Sequence, residues 1–119
     1  VVHLFQSGFP LCERLNFYLT QLAAKFPTHK FLKIVSTNCI QNYPDKNLPT
    51  MLVYRNGELV KQIVTLASMG GPQTTVDDVE WALKQVGLCE GSTLERNPRE
   101  KDAVRDIMMS SVSRANDSD

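Results

Sequence analysis

The sequence predicts an α/β domain in which a mixed central sheet is flanked by helices. The predicted elements follow in the order strand, helix, strand, strand, strand, helix. A helix long enough for a crossover separates the first two strands, so these two are expected to be parallel. Asn56-Gly57 lies between two apolar runs and is a strong hairpin signal, so the last two strands are expected to be antiparallel. One mixed sheet covered by helices follows.

The first half of the chain is predicted to form a strand, a helix and a second strand. Residues 1–5 are a short β-branched and aromatic run that ends at a Gln-Ser-Gly sequence. A helix is predicted over residues 10–26, because proline is tolerated in the first turn and apolar residues recur at helical spacing. Pro27 ends this helix, and residues 30–35 form the second strand.

The second half is predicted to form a hairpin and a final helix. The hairpin strands are residues 50–54 and 58–66, after an irregular polar stretch with one helical turn expected near residues 39–43. Thr75 begins the last helix, with Asp78 three residues later as its capping-box partner. Gly87 closes that helix.

Composition excludes several classes of function. The 13 basic and 13 acidic side chains cancel, so broad attraction to nucleic acid or to an anionic membrane is not expected. No apolar run approaches the ~18 residues of a spanning helix. The three cysteines contain no Cys-x-x-Cys pair and are too widely spaced for a secreted disulfide framework, which favours a reducing compartment, the cytosol.

Residues 90–119 differ in composition from the rest of the chain. This segment has a net charge of −2, no aromatic residue and few large aliphatic residues, so it is predicted to be a largely flexible charged tail. The folded domain is therefore predicted to span residues 1–89. Ile107 and Met108 could line one face of a short helix that docks onto a protein, with simple solvation as the alternative.

Two local features match the thioredoxin-like fold, whose minimal core has the predicted order of elements. Residues 48–50, Leu-Pro-Thr, precede the third strand and resemble the cis-proline loop of that fold. Residues 9–12, Phe-Pro-Leu-Cys, fall where thioredoxins have Cys-Gly-Pro-Cys. Further stretches resemble the phosducin-like family, in particular the subfamily of phosducin-like proteins 2 and 3: residues 2–5, 22–27, 39–50, 53–57 and 79–83. This resemblance implies a helical region, and an extra strand and helix, ahead of the part seen here.

The resemblance also implies that redox catalysis is lost. A thioredoxin needs an exposed attacking thiol and a resolving thiol, but Phe9 stands at the attacking position and only Cys12, the resolving one, remains. Cys12 is expected to be a small packed thiol. Cys39 and Cys89 could replace the missing thiol only with Cα atoms within ~7 Å. No catalytic residue, cofactor or metal site is predicted.

Four further residues could have either a structural or a functional role. Pro49 is the candidate cis-proline, interpreted as architectural, although the residue before it could pair with an extended peptide. Trp81 lies off the apolar stripe of its helix, so it either packs under a loop or stays partly exposed as a protein contact. His3 is expected to be a satisfied core or edge residue and His29 to be solvated, and neither has a Cys or His at metal-ligand spacing.

The resemblance implies a non-catalytic, monomeric binding domain of a co-chaperone. Its implied partners are the cytosolic chaperonin CCT/TRiC and chaperonin clients of the actin and tubulin type, and its location is the cytoplasm. The mechanism would be preferential binding to particular chaperonin–client states. Two alternatives remain: a regulator that binds G-protein βγ, and a residual thiol–disulfide oxidoreductase that uses Cys12.

Overall fold

A computed structural model describes residues 1–99 as a four-stranded sheet packed against helices. Its main elements are β1 (Val2–Phe5), α1 (Pro10–Lys25), β2 (Leu32–Val35), α2 (Ser36–Cys39), β3 (Thr50–Arg55), β4 (Glu58–Val64) and α3 (Val76–Gln85). Short 3₁₀ turns occur at Asp45–Asn47, Ala67–Met69 and Gly71–Gln73. None of the helices within residues 1–99 is long and apolar enough to cross a membrane.

The sheet has the strand order β2-β1-β3-β4 and contains both strand orientations. β1 pairs in parallel with β2, and β3 pairs antiparallel with both β1 and β4. Asn56 and Gly57 both adopt positive φ angles, 53° and 81°, as a two-residue hairpin turn of the favoured type requires. The predicted α/β class, the mixed sheet and the thioredoxin-like order of elements are confirmed.

Local sequence signals explain where the two long helices, α1 and α3, begin. Pro10 occupies the first turn of α1, where its missing N–H costs no hydrogen bond. At α3, Asp78 N–H donates to Thr75 Oγ1 over 3.3 Å and Thr75 N–H donates to Asp78 Oδ2 over 2.8 Å. This is the predicted capping box. Both helices therefore start at the residues that the sequence indicated.

The ends of two strands differ from the predictions. β2 starts at Leu32 rather than at residue 30, because β1 begins at Val2 and pairs it directly with Leu32. β4 ends at Val64 rather than at residue 66, because Thr65 takes a positive φ of 60° and turns Leu66 into the core. The helical turn predicted near residues 39–43 is displaced, since α2 ends at Cys39.

α1 and α3 pack on the same face of the sheet. Their buried side chains, together with Met51, Val53 and Ile63 from β3 and β4, form the larger apolar cluster, here called the helix-side core. A smaller cluster of Leu4, Cys12, Leu48 and Leu52, here called the loop-side cluster, lies where residues 36–48 cross the sheet. The start of α1 contributes to the loop-side cluster, and this places the degenerate thioredoxin motif beside the cis-proline loop.

Part of the predicted tail contacts the domain. Residues 90–99, here called the C-terminal segment, contact α3 through Ser92, Leu94 and Arg99. The composition of residues 90–99 did not indicate these contacts. Each contact is polar, and its partner lies elsewhere in the chain. Ile107 and Met108 lie outside the described residues.

Candidate functional site

The degenerate thioredoxin motif lies at the start of α1. Phe9 is the N-cap residue, with extended backbone angles of −91° and 113° and no side-chain hydrogen bond to the helix. Its half-buried ring packs against the loop-side cluster, of which Cys12 is a member. An apolar ring that contributes to packing therefore occupies the position that the resemblance aligns with the attacking thiol.

Cys12 is poorly suited to thiolate chemistry. Its side chain is 1% exposed. Burial raises the pKa of the Cys12 thiol because it disfavours the thiolate, and the nearby carboxylates of Asp45 and Glu13 act in the same direction. A hydrogen bond with the backbone of Gln6 opposes these effects only in part. The surviving thiol of the motif is thus protonated and enclosed.

The other two cysteines do not supply the missing partner. Cys12, Cys39 and Cys89 are all free thiols. Cys39 is exposed at the end of α2. Cys89 is buried, and burial followed by the charge of Glu80 raises its pKa to about 11. Within residues 1–99 no disulfide joins these cysteines, and Cys12 and Cys89 lie in different apolar clusters.

We expect the three thiols to differ sharply in reactivity. In the native protein at pH 8, Ellman's reagent should modify Cys39 at the rate of an exposed thiol, because its side chain is accessible to the reagent. Cys12 and Cys89 should react only after the protein is denatured. A Cys39→Ser variant is the control and should show no fast phase, whereas any fast phase in that variant would contradict the burial of Cys12 or Cys89.

The loop before β3 is fixed by its own hydrogen bonds. The Leu48–Pro49 peptide bond is cis, and Leu48 N–H donates to the Asp45 carbonyl over 3.0 Å. Thr50 Oγ1 donates to the Asn47 carbonyl over 2.6 Å. Because the Leu48 N–H already has a partner, an extended peptide could pair with it only by breaking that bond. This favours the architectural interpretation of Pro49.

Trp81 lies apart from the thioredoxin motif. Its ring is half-buried on α3, and Lys84 Nζ lies 5.7 Å from the ring centroid, within cation–π range. Lys84 also donates to the Leu94 carbonyl, so it links the tryptophan to the C-terminal segment. Within residues 1–99, Trp81 belongs to neither apolar cluster. Its role as a protein contact stays a prediction.

His3 is fully buried in β1. Its Nδ1 lies 2.6 Å from Asn16 Oδ1, while Nε2 has no hydrogen-bond partner. Burial lowers the pKa of His3 to about 4; the bond to Asn16 opposes this shift and the charge of Lys33 adds to it. The expected core position is observed, but only one of the two ring nitrogens is satisfied.

The expectation that His29 is solvated was wrong. The side chain is half-buried, and its Nε2 accepts a hydrogen bond from the Cys89 N–H over 3.1 Å. The turn after α1 faces residues 87–89, which local sequence could not reveal. No group of three or more His, Cys, Asp or Glu side chains within residues 1–99 could hold a metal ion.

The structure reveals an apolar surface that the sequence analysis missed. Strand pairing places four exposed side chains on the face of the sheet opposite α1 and α3, because residues paired directly across neighbouring strands share a face and side chains alternate along each strand. Here called the open sheet face, it comprises Leu32 (45% exposed), Tyr54 (43%), Leu59 (50%) and Val64 (42%). Sequence pattern alone could not separate it from a covered face, since apolar strand residues are equally consistent with either.

Two buried carboxylates on α3 were also missed. The side chain of Glu80 is 2% exposed; its Oε1 accepts from Lys25 Nζ over 2.7 Å and its Oε2 from Ser92 Oγ over 2.5 Å. The side chain of Asp78 is 1% exposed and pairs with Arg99. The partners lie up to 55 residues away, so no local pattern could have identified these pairs.

Comparison with known proteins identifies similar sequences in one family. A family model described as phosducin matches residues 1–119. Phosducin-like protein 2 of Dictyostelium discoideum is 56% identical over 99 residues, 83% of this chain and 41% of that protein. Phosducin-like protein 3 is 46% identical in Danio rerio and 45% in Mus musculus, in each case over 94% of this chain.

The chain spans less than half the length of these relatives, between 41% and 46%. The family model nevertheless covers the whole chain. The chain belongs to the phosducin family.

Proposed function

We propose that this domain is a non-catalytic protein-binding module. The observation on which the proposal rests is the state of the former redox motif. Phe9 packs its ring where an attacking thiol would stand, and Cys12 is enclosed with a raised pKa. A thiolate that neither forms readily nor reaches a substrate cannot exchange disulfides at a useful rate. In this proposal the domain acts by binding other proteins through its surface.

We further propose that the open sheet face is the binding surface. Four large apolar side chains on one face are energetically costly to leave in water, and such patches typically mark interaction sites. Tyr54 is suited to an interface because it offers a large apolar area and a hydroxyl group. Covering this face would bury apolar area without disturbing the helix-side core.

The partner that we propose is the cytosolic chaperonin CCT/TRiC with its actin- and tubulin-type clients, in the cytoplasm. The resemblance to phosducin-like proteins 2 and 3 supports this partner class. In this mechanism the domain binds some chaperonin–client states more tightly than others and so shifts their populations. No bond is made or broken, which suits a domain without a competent thiol.

The test is direct binding with purified components. We expect the chain to bind purified CCT in a pull-down, and Tyr54→Lys to weaken this binding about tenfold by placing a charge in an apolar interface. Gln21→Lys, an exposed substitution on α1, is the matched control and should bind normally. Both variants should melt like the parent, because neither original side chain is buried.

Purified G-protein βγ serves as the competing ligand in the same assay. Binding to G-protein βγ without binding to CCT would overturn the chaperonin proposal, as would binding to neither. Equal binding by Tyr54→Lys and Gln21→Lys would leave the partner in place but reject the open sheet face as the surface.

A further inference from the structure

At the start of α3, three of the described residues contact a guanidinium group. Gly70, Gln73 and Asp78, here called the arginine pocket, enclose the side chain of Arg99 from the C-terminal segment. We propose that this pocket is an arginine-binding site that Arg99 occupies in cis and that an arginine of a partner protein can take in its place. This proposal is independent of the chaperonin and of the open sheet face.

The contacts in the pocket match the fork shape of a guanidinium. Arg99 Nε lies 3.0 and 3.1 Å from the two carboxylate oxygens of Asp78, and Nη2 lies 2.9 Å from Oδ2. Nη2 also donates to the Gln73 carbonyl over 2.8 Å. A lysine ammonium is a compact charge on a flexible stem and cannot reproduce this planar set of bonds. The pocket should therefore prefer arginine over lysine.

Gly70 provides the space that the guanidinium fills. A β-carbon at this position would lie 2.9 Å from Arg99 Cζ and 3.0 Å from Nε, so the guanidinium would have to shift to make room for it. Gly70 also has a φ of 107°, which glycine adopts at little cost. Its carbonyl accepts from the Gln73 N–H over 3.0 Å, so the turn that forms the pocket is fixed without Arg99.

The carboxylate is also oriented without Arg99. Asp78 Oδ2 accepts hydrogen bonds from the Thr75 N–H over 2.8 Å and from Thr75 Oγ1 over 3.0 Å. If Arg99 left, a carboxylate with a 1% exposed side chain would remain in place without its cation. An uncompensated buried charge is costly, so an empty pocket would favour the return of Arg99 or the entry of another arginine.

The cis occupant is attached in a way that permits exchange. No residue of the C-terminal segment belongs to either apolar cluster within residues 1–99. Within residues 90–99, the hydrogen bonds to α3 other than those of Arg99 are Ser92–Glu80 and Lys84–Leu94. Hydrogen bonds of this kind each contribute little net stability. The Arg99–Asp78 pair is therefore the main polar attachment of the described segment, so an arginine that competes for Asp78 can release the segment while the core stays folded.

The test removes the Arg99 side chain from the arginine pocket and adds a separate peptide that contains an arginine. The probe is an acetylated, amidated peptide that copies residues 92–99, titrated by calorimetry into the full chain carrying Arg99→Ala. We expect this variant to bind the peptide at least about tenfold more tightly than the parent chain does, because the parent pocket is occupied. Arg96→Ala, in the same segment but outside the pocket contacts, should behave like the parent. The same peptide carrying Arg99→Lys should bind the Arg99→Ala chain at least about tenfold more weakly.

Two results would overturn the proposal. One is a folded Arg99→Ala chain that does not bind the arginine peptide. The other is equal affinity for the arginine and lysine peptides. Hydrogen exchange of the parent chain provides a test that needs no variant: amides of residues 92–99 should exchange at least about tenfold faster than those in the middle of α3. Equal protection of the two regions would reject an exchangeable occupant.

Discussion

Replacing Asp78 with alanine is expected to lower the free energy of unfolding by about 3 kcal/mol. The change removes the carboxylate that caps the start of α3, which typically stabilises by about 1 kcal/mol. It also breaks the ion pair with Arg99, whose side chain is only 30% exposed, and loss of one partner of a buried pair costs several kcal/mol in comparable cases. Urea denaturation followed by Trp81 fluorescence measures the difference.

Asp77 provides the matched control for this experiment. It is an exposed aspartate in the same helical turn, so Asp77→Ala removes the same charge and dipole contribution without removing a buried contact. Its expected cost is only a few tenths of a kcal/mol. Similar losses in the two variants would mean that the capping box and the Arg99 pair contribute little to stability.

Acidification from pH 7 to pH 4 is expected to destabilise the domain by about 3 kcal/mol through His3 alone. The folded-state pKa of His3 is about 4, below its ordinary value of 6.5. Between these two values the unfolded chain binds a proton that the folded chain excludes, so the free energy of unfolding falls as pH falls. The contribution is fully present above pH 6.5 and is lost progressively down to about pH 4.

A His3→Phe variant isolates this effect, because a ring of similar size remains in the core but no longer titrates. Urea denaturation at several pH values should give a shallower decline for His3→Phe than for the parent chain. His29→Gln removes the other histidine and should keep the decline due to His3. Parallel curves for the parent and His3→Phe would show that His3 does not resist protonation in the folded state.

The parts of the fold that were predictable depend on local chemistry. The Asn56-Gly57 turn needs only two residues that tolerate positive φ, and the Thr75–Asp78 capping box needs only residues three positions apart. Pro10 and Pro27 mark the limits of α1 because a proline ring constrains its own neighbours. Each signal is contained within one turn of chain, so the sequence displays it directly.

The unpredicted parts depend on contacts between distant residues. The charge of Glu80 predicts a solvent-exposed position. Its side chain is buried instead, because Lys25 and Ser92 from other parts of the chain bond to its carboxylate. His29 is half-buried because the backbone of Cys89 lies against it. The open sheet face was missed for a similar reason, since exposure of a strand residue depends on what packs over it.

Both long helices, α1 and α3, pack on one face of the sheet, so the two faces differ in how much apolar surface is covered. The helix-side core is closed between α1, α3 and the sheet, whereas the side chains of Leu32 and Tyr54 across the sheet are 45% and 43% exposed. Substitutions on the open sheet face are therefore expected to lower the free energy of unfolding less than substitutions in the helix-side core.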